Sequence, residues 1–518
     1  MGLGRSVLQQ KEGEAADGQF SASGHGSPPE SYRRALVIFT LVVSVFVGLV
    51  QFPTDDGLRH VGVAFGEPRS WGEVYPHSVF SEYPEYNPWW GYDRVLRGLA
   101  AVMRPLGLSR IVAQEVVVDL LSVGFLAAFL LLALQRSGLS AKIRSPETFA
   151  AAAALIALFL SVPIARILTV RPFVLGSLYL LYALPGGGAL RGVAAAGLLG
   201  VCYPYLFWIY TAPVAVTHFW RGDRRFGAAT FAITAVAVAV QPRGFWGLLE
   251  GLARSEGIRA GITVKISEIK PITDEPFLAG AVLLALLCVL PFLPAASRRM
   301  GVPHLLMICF VPAALKYARY LIDVEVVLLF VICSAGLVEP LAPRLGVIGA
   351  FWVGRLRAIG ARLGRGRPAA PASGRGGVNL RPAIAATTLA LVAVLGGGAT
   401  TRHRADAALA QLLDAVPKGS LVLTDFNLQY RLLFVRPDLR LVPSCELGFP
   451  AEAILPAYRR FFEDGDPCGL ARAIDAAWFV GREHMPLDSE KTACLGRKAG
   501  RAEEKGHPAI VLWQVGSQ

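Results

Sequence analysis

Asp55-Asp56-Gly57-Leu58-Arg59-His60 begins four residues after the first apolar stretch of the chain and opens a loop dense in acids and aromatics. If the chain is helical from Asp55 to Ala64, Asp56 and His60 fall at i and i+4 and Asp56 and Arg59 at i and i+3, so a carboxylate, a guanidinium and an imidazole share one face. That set fits glycosyl transfer from a lipid phosphate donor. An aspartate deprotonates the acceptor or holds a divalent metal (Mg or Mn), and the cations stabilise the departing phosphate. The same residues also make an ordinary capped helix at a membrane interface, with Asp55 or Asp56 as N-cap and Arg59 reaching to headgroups. Spacing leaves the choice of base between Asp55 and Asp56 open.

The elements that must hold these residues are indicated by composition. The chain has 518 residues, 54% hydrophobic and only 17% charged, and a mean hydropathy of +0.48, which predicts a polytopic α-helical membrane protein. About eleven stretches approach the length needed to cross a bilayer: 35–51, 112–135, 148–165, 172–186, 192–203, 204–220, 226–241, 276–294, 302–316, 322–338 and 382–399. The net charge of +13 does not point to nucleic acid, because the basic residues flank apolar stretches instead of alternating with stacking aromatics.

Arg33-Arg34, Arg136, Lys142, Arg144, Arg221, Arg224, Arg225 and Arg298-Arg299 all fall on the cytoplasmic side if the N-terminus is cytoplasmic. The interval from Glu339 to Asp406 holds arginines from Arg344 to Arg381 and no acid between its ends, so 341–381 reads as a cytoplasmic basic linker. The expected organisation is a disordered cytoplasmic tail over 1–33, a transmembrane domain over 34–400 with an external loop 52–110, and a periplasmic α/β domain over 401–518. The expected protein is multi-pass, with its N-terminus on the cytoplasmic side.

Other charges fall on the expected outer side. Arg171-Pro172 starts an apolar stretch, where Arg171 either binds the lipid phosphate or is an interfacial arginine beside a helix-start proline. Lys316-Tyr317-Ala318-Arg319-Tyr320 puts two cations beside two aromatics and reads equally as a phosphate clamp or as the partner of Asp323 and Glu325. Glu268, in Ile266-Ser267-Glu268-Ile269-Lys270-Pro271 of the loop 242–275, is either a second acid of the site or a solvated carboxylate. Cys445, Cys468 and Cys494 allow one disulfide in an oxidising compartment, with the pair left open. No ligand cluster demands a metal.

An apolar stretch followed at once by an external loop opening with acids is similar to the layout of the GT-C superfamily of integral membrane glycosyltransferases. Arg59-His60 behind the acids resembles the Asp-x-Glu-x-x-Arg-His pattern of the eukaryotic glucosyltransferases that use dolichyl-phosphate glucose. Asp56 stands where that pattern has Glu, and Asp55 is one residue closer to Arg59 than the pattern's leading acid. Arg171-Pro172 is similar to an Arg-Pro recurring in several GT-C branches, and the Glu268 segment resembles an acid-before-proline segment of bacterial relatives.

The resemblance implies a polyprenyl-phosphate sugar donor, a lipid, glycan or protein acceptor at the periplasmic face, and inversion at the anomeric carbon. It makes Asp55 or Asp56 the base, Arg59 and His60 its orienting or donor-binding partners, and Lys316 and Arg319 with Arg171 the groups that receive the phosphate; many members need no metal. The rival readings are a transporter or flippase of a lipid-linked glycan, and a non-catalytic membrane scaffold.

After Arg402 the pattern becomes that of an α/β unit, with an amphipathic helix over 405–416 and extended segments over 420–424, 432–435, 439–442, 476–480 and 509–513. No Gly-rich phosphate loop or Gly-x-Ser-x-Gly elbow occurs there. Its Gly419-Ser420 … Thr424-Asp425 … Arg436-Pro437-Asp438-Leu439-Arg440 pattern looks like the C-terminal domains of many bacterial GT-C-like proteins, which implies an accessory role, covering the site or selecting the acceptor.

Overall fold

The computed structural model describes residues 28–50, 56–82, 87–143, 166–184, 190–204, 207–241, 321–334, 402–425, 428–442, 450–483, 492–504 and 507–516, with single residues between 148 and 164, 244 and 250, and 306 and 311. The longest helix among the described residues, Arg110–Arg136, has 27 residues and starts where the Ser109 side chain accepts from the Val112 N–H. It ends before Gly138, whose φ of +73° is the left-handed conformation that glycine adopts without strain. The Pro28–Val50 helix packs along it so closely that a Cβ on Gly48 would sit 2.8 Å from Val123 Cγ2.

The two ends of Arg110–Arg136 do different work. Its middle is apolar, whereas its first turns carry Gln114, Glu115 and Asp119, of which Glu115 and Asp119 meet the helix over 402–413. Arg402 donates to Asp119 Oδ2 at 3.0 Å, and His403 Nδ1 lies 3.2 Å from Glu115 Oε2.

Helix lengths correct the expectation of about eleven membrane-crossing helices. Among the described residues, Arg110–Arg136 is the one helix long and apolar enough to cross a bilayer; Leu36–Val50, Val174–Ala183 and Val193–Cys202 are apolar but shorter. Ten residues of helix rise about 15 Å, half of the roughly 30 Å of hydrocarbon. Hydropathy overcounts here because apolar side chains such as Tyr179, Leu180 and Leu181 are buried against other parts of the protein.

The stretch 204–220 is a π-helical turn, Phe207–Thr211, running into the α-helix Ala212–Trp220. Pro213 lacks the N–H that would bond to the carbonyl four residues back, and a wider turn accommodates that loss. The stretch 226–241 is the helix Arg224–Ala239, and the described part of 322–338 is the helix Leu321–Ser334. The stretches 276–294 and 382–399, the linker 341–381 and residues 1–27 lie outside the described residues, as do most of 148–165, 302–316 and the loop 242–275.

The C-terminal part is an α/β sandwich. Strands β1 (Leu421–Thr424), β2 (Arg440–Leu441), β3 (Trp478–Arg482), β4 (Leu495–Glu504) and β5 (His507–Val515) form one sheet in the order β2-β1-β3-β5-β4. The first three pair in parallel, and β5 pairs antiparallel to both β3 and β4. Every residue of β1 is buried, as befits a parallel strand covered on both faces. On one face Tyr458, Phe461, Leu470 and Ile474 of the helices Leu455–Asp464 and Pro467–Ile474 pack on Leu421, Leu423 and Phe479. On the other, Leu409, Leu413 and Leu433 join Val422, Val480 and Leu512 in a core that continues through Val61, Trp71 and Trp89 of the first loop.

The extended reading of 432–435 is thereby corrected, since these residues end the helix Leu428–Val435. Four consecutive large apolar residues look alike in a buried helix and a buried strand. β4 was not anticipated, because its LGRKAGRAEE sequence is polar. Cys468 and Cys494 form the disulfide, tying the start of the Pro467–Ile474 helix to the residue before β4.

Candidate functional site

The helix Gly57–Phe65 has all nine residues buried between Trp90–Met103 on one side and Leu428–Val435 on the other. Two glycines permit that fit. A Cβ on Gly57 would lie 2.2 Å from the Thr169 carbonyl oxygen, and one on Gly62 2.2 Å from that of Leu433. The turn before Arg171 thus presses on the start of this helix, and the C-terminal α/β part presses on its middle.

Asp56 occupies the N-cap position, yet its side chain makes no capping hydrogen bond. Its Oδ1 pairs with Arg59 Nε, and its Oδ2 lies 3.9 Å from Arg171 Nε. The carboxylate is 4% exposed and Arg171 11%, so the approach is from the Arg171 side. Val170 immediately before has φ +53°, a left-handed conformation costing a β-branched residue roughly 1–3 kcal/mol. The hydroxyl of Tyr92 holds it by donating to the Val170 carbonyl at 2.7 Å.

The Arg59 guanidinium lies over four rings, with Cζ 5.0 Å from the centroid of Trp89, 5.3 Å from Trp71, 5.6 Å from Tyr430 and 6.0 Å from Tyr75. Cation–π contact in a desolvated place is worth about 2 kcal/mol. Burial opposes the charge on Arg59, but Asp56, Tyr75 and Tyr430 together outweigh that and hold the group above its ordinary value. The phenols of Tyr75 and Tyr92 are pushed up, chiefly by burial, and stay neutral.

His60 pairs with a different acid, Asp93. Its Nδ1 lies 2.8 Å from Asp93 Oδ1, and its ring meets the edges of Trp71, Trp89 and Tyr92 at 5.1 to 5.6 Å. Asp93 also accepts from Trp71 Nε1 at 2.9 Å and Asn87 Nδ2 at 3.0 Å. A carboxylate can only accept, so Nδ1 is the ring nitrogen that donates to Asp93. Among the described residues nothing hydrogen-bonds the ring's Nε2.

Of the residues singled out in the sequence, the structure brings Asp56, Arg59 and Arg171 together and turns His60 into a neighbouring pair with Asp93. Asp55, Glu268, Lys316 and Arg319 lie outside the described residues. The spacing argument passed over Asp93, Trp71, Asn87 and Tyr430. Asp93 carried a signal, a lone acid at the end of the run Trp89-Trp90-Gly91-Tyr92; Tyr430 carried none, because it arrives from more than 350 residues away in sequence.

A divalent cation does not fit at Asp56, where two guanidiniums already face one carboxylate. Among the described residues no three His, Cys, Asp or Glu side chains gather as a metal site would require. What the arrangement can do is hold one carboxylate oxygen toward a partly exposed arginine, with the other oxygen fixed by a caged cation. No protein-family model matches the chain, and no curated protein matches it.

Proposed function

We propose that this chain is a glycosyltransferase that moves a sugar from a polyprenyl-phosphate donor to an acceptor hydroxyl at the periplasmic face of a bacterial inner membrane, with Asp56 as the base. The observation that carries the reading is the division of Asp56 between two arginines. Arg59 fixes Oδ1, which leaves Oδ2 beside Arg171 where a proton and a phosphate can be handled side by side.

In this reaction the acceptor O–H gives its proton to Asp56 Oδ2 while its oxygen attacks the anomeric carbon from the face opposite the phosphate. The bond from that carbon to the phosphate oxygen breaks, the electron pair leaves with the phosphate, and Arg171 receives the charge. The product is the inverted glycoside.

The long apolar helix Arg110–Arg136 supports attachment to a membrane, and the disulfide between Cys468 and Cys494 supports an oxidising compartment. The reading depends on this site and not on a count of spans. Its test is transfer of radiolabelled sugar from a panel of polyprenyl-phosphate sugars by the full chain in proteoliposomes, with the anomeric configuration of the product determined. Transfer with inversion is expected. Retention of configuration, or no transfer from any donor by folded protein, overturns the reading.

A further inference from the structure

A second polar site lies between the first loop and the α/β part, where Glu67, Arg69, Arg110, Lys418, Arg436 and Asp438 line a cavity of about 420 Å³. Two of its four cations are matched by acids. Lys418 pairs with Glu67, and Arg436 makes a two-point pair with Asp438 at 2.8 and 2.7 Å. Arg69 and Arg110 have no carboxylate at ion-pair distance among the described residues. Their N–H groups go instead to neutral carbonyls, Arg69 to Pro437 O, to Asp438 O at 2.9 Å and to Leu439 O at 3.0 Å, and Arg110 to Val435 O at 2.6 Å.

The lining therefore carries two positive charges in excess, set in forks that suit phosphate oxygens. Burial pulls both Arg69 and Arg110 below the usual arginine value, whereas the hydrogen bonds that Arg436 donates to Asp438 raise Arg436. The carbonyl contacts hold the two guanidiniums in place without neutralising them. The volume lies at the small end of ligand cavities, and among the described residues the lining has no aromatic ring on which a nucleobase could stack.

We infer that this cleft binds a phosphomonoester, seated between Arg69 and Arg110 with Lys418 at its rim. The group carries about −1.5 to −2 charges at neutral pH, which matches the excess of two, whereas a carboxylate supplies one. None of these residues is used at Asp56, so the inference stands apart from the proposed transfer reaction.

The test is calorimetric titration of the full chain in detergent with inorganic phosphate, glucose 1-phosphate, a polyprenyl monophosphate and, as the monoanion control, glucuronate. Phosphate and at least one monoester are expected to bind at least tenfold more tightly than glucuronate. Arg110→Gln is expected to weaken them at least tenfold, and Lys418→Ala, at an exposed position that folding does not need, by a smaller factor. Tighter binding of glucose 1-phosphate marks a soluble ligand, and tighter binding of the polyprenyl phosphate marks a lipid headgroup; either result supports the site. Equal binding of glucuronate, no binding of any phosphate, or unchanged affinity in both folded variants overturns it.

Discussion

At the scale of single residues, the centre depends on how a strained turn aims Arg171. Val170 stays left-handed because Tyr92 donates to its carbonyl and Gly57 packs beneath it. Tyr92→Phe removes that hydrogen bond and nothing else of comparable size. The variant is expected to lose about 1 kcal/mol of stability, seen in denaturant unfolding, and to raise KM for the donor more than it lowers kcat. An unchanged KM would separate the turn from donor binding. The sequence showed Asp56, Arg59 and Arg171 as chemistry-bearing residues, since their types and the i, i+3 spacing are local. It could not show that His60 leaves Asp56 for Asp93, because that choice is made by the Trp71, Asn87 and Asp93 contacts around it.

At the scale of elements, close approach decides what the helix Gly57–Phe65 tolerates. A methyl on Gly62 would meet backbone, the Leu433 carbonyl and the Phe434 Cα at 2.7 Å, and backbone cannot rotate away. Gly62→Ala is expected to push the helices apart at a cost of roughly 1–3 kcal/mol, with Tyr430 drawn off Arg59. Thermal unfolding monitored by tryptophan fluorescence checks it, and a melting temperature equal to wild type contradicts it. The disulfide acts on a different element. Cys468 and Cys494 are separated by 26 residues, and replacing both by Ser is expected to cost about 2–4 kcal/mol, read from denaturant midpoints and reproduced in wild type by reductant.

Elements were legible where their pattern is periodic or capped. The helix over 57–65 and the strands β1, β3 and β5 follow from such patterns, whereas Leu428–Val435, read as extended, and β4 do not. Only the pairing of β4 with β5 identifies that polar segment as a strand.

At the scale of the whole molecule, the first loop and the α/β part share one hydrophobic core and are stitched at the rim, where the Ala451 N–H donates to the His77 carbonyl at 2.9 Å. Burial, with Arg440 nearby, holds the His77 imidazole below its usual value. In the folded protein it therefore resists a proton that the unfolded chain accepts, so stability is expected to fall as pH drops below about 6.5 toward the folded value.

Asp438 acts lower. Burial pushes its carboxyl up, but the hydrogen bonds and charge of Arg436, its own backbone N–H and the nearby Arg110 charge together outweigh that and hold it below the ordinary range. Its contribution is complete above about pH 4 and is lost as pH falls through the folded value. Unfolding midpoints measured from pH 8 to 3 should show both losses, with His77→Gln removing the upper one. Whole-molecule form was the least legible level: hydropathy counts apolar residues without distinguishing a lipid neighbour from a protein one, so short helices buried against each other were read as membrane spans.

The central claim is that Asp56, set between Arg59 and Arg171, takes the acceptor proton. It is tested most directly by single-turnover sugar transfer in Asp56→Asn with donor binding measured on the same sample. The account predicts a fall of roughly 10²–10⁴-fold in the transfer rate, with donor affinity within a few-fold of wild type. Transfer at the wild-type rate by the folded variant would contradict it.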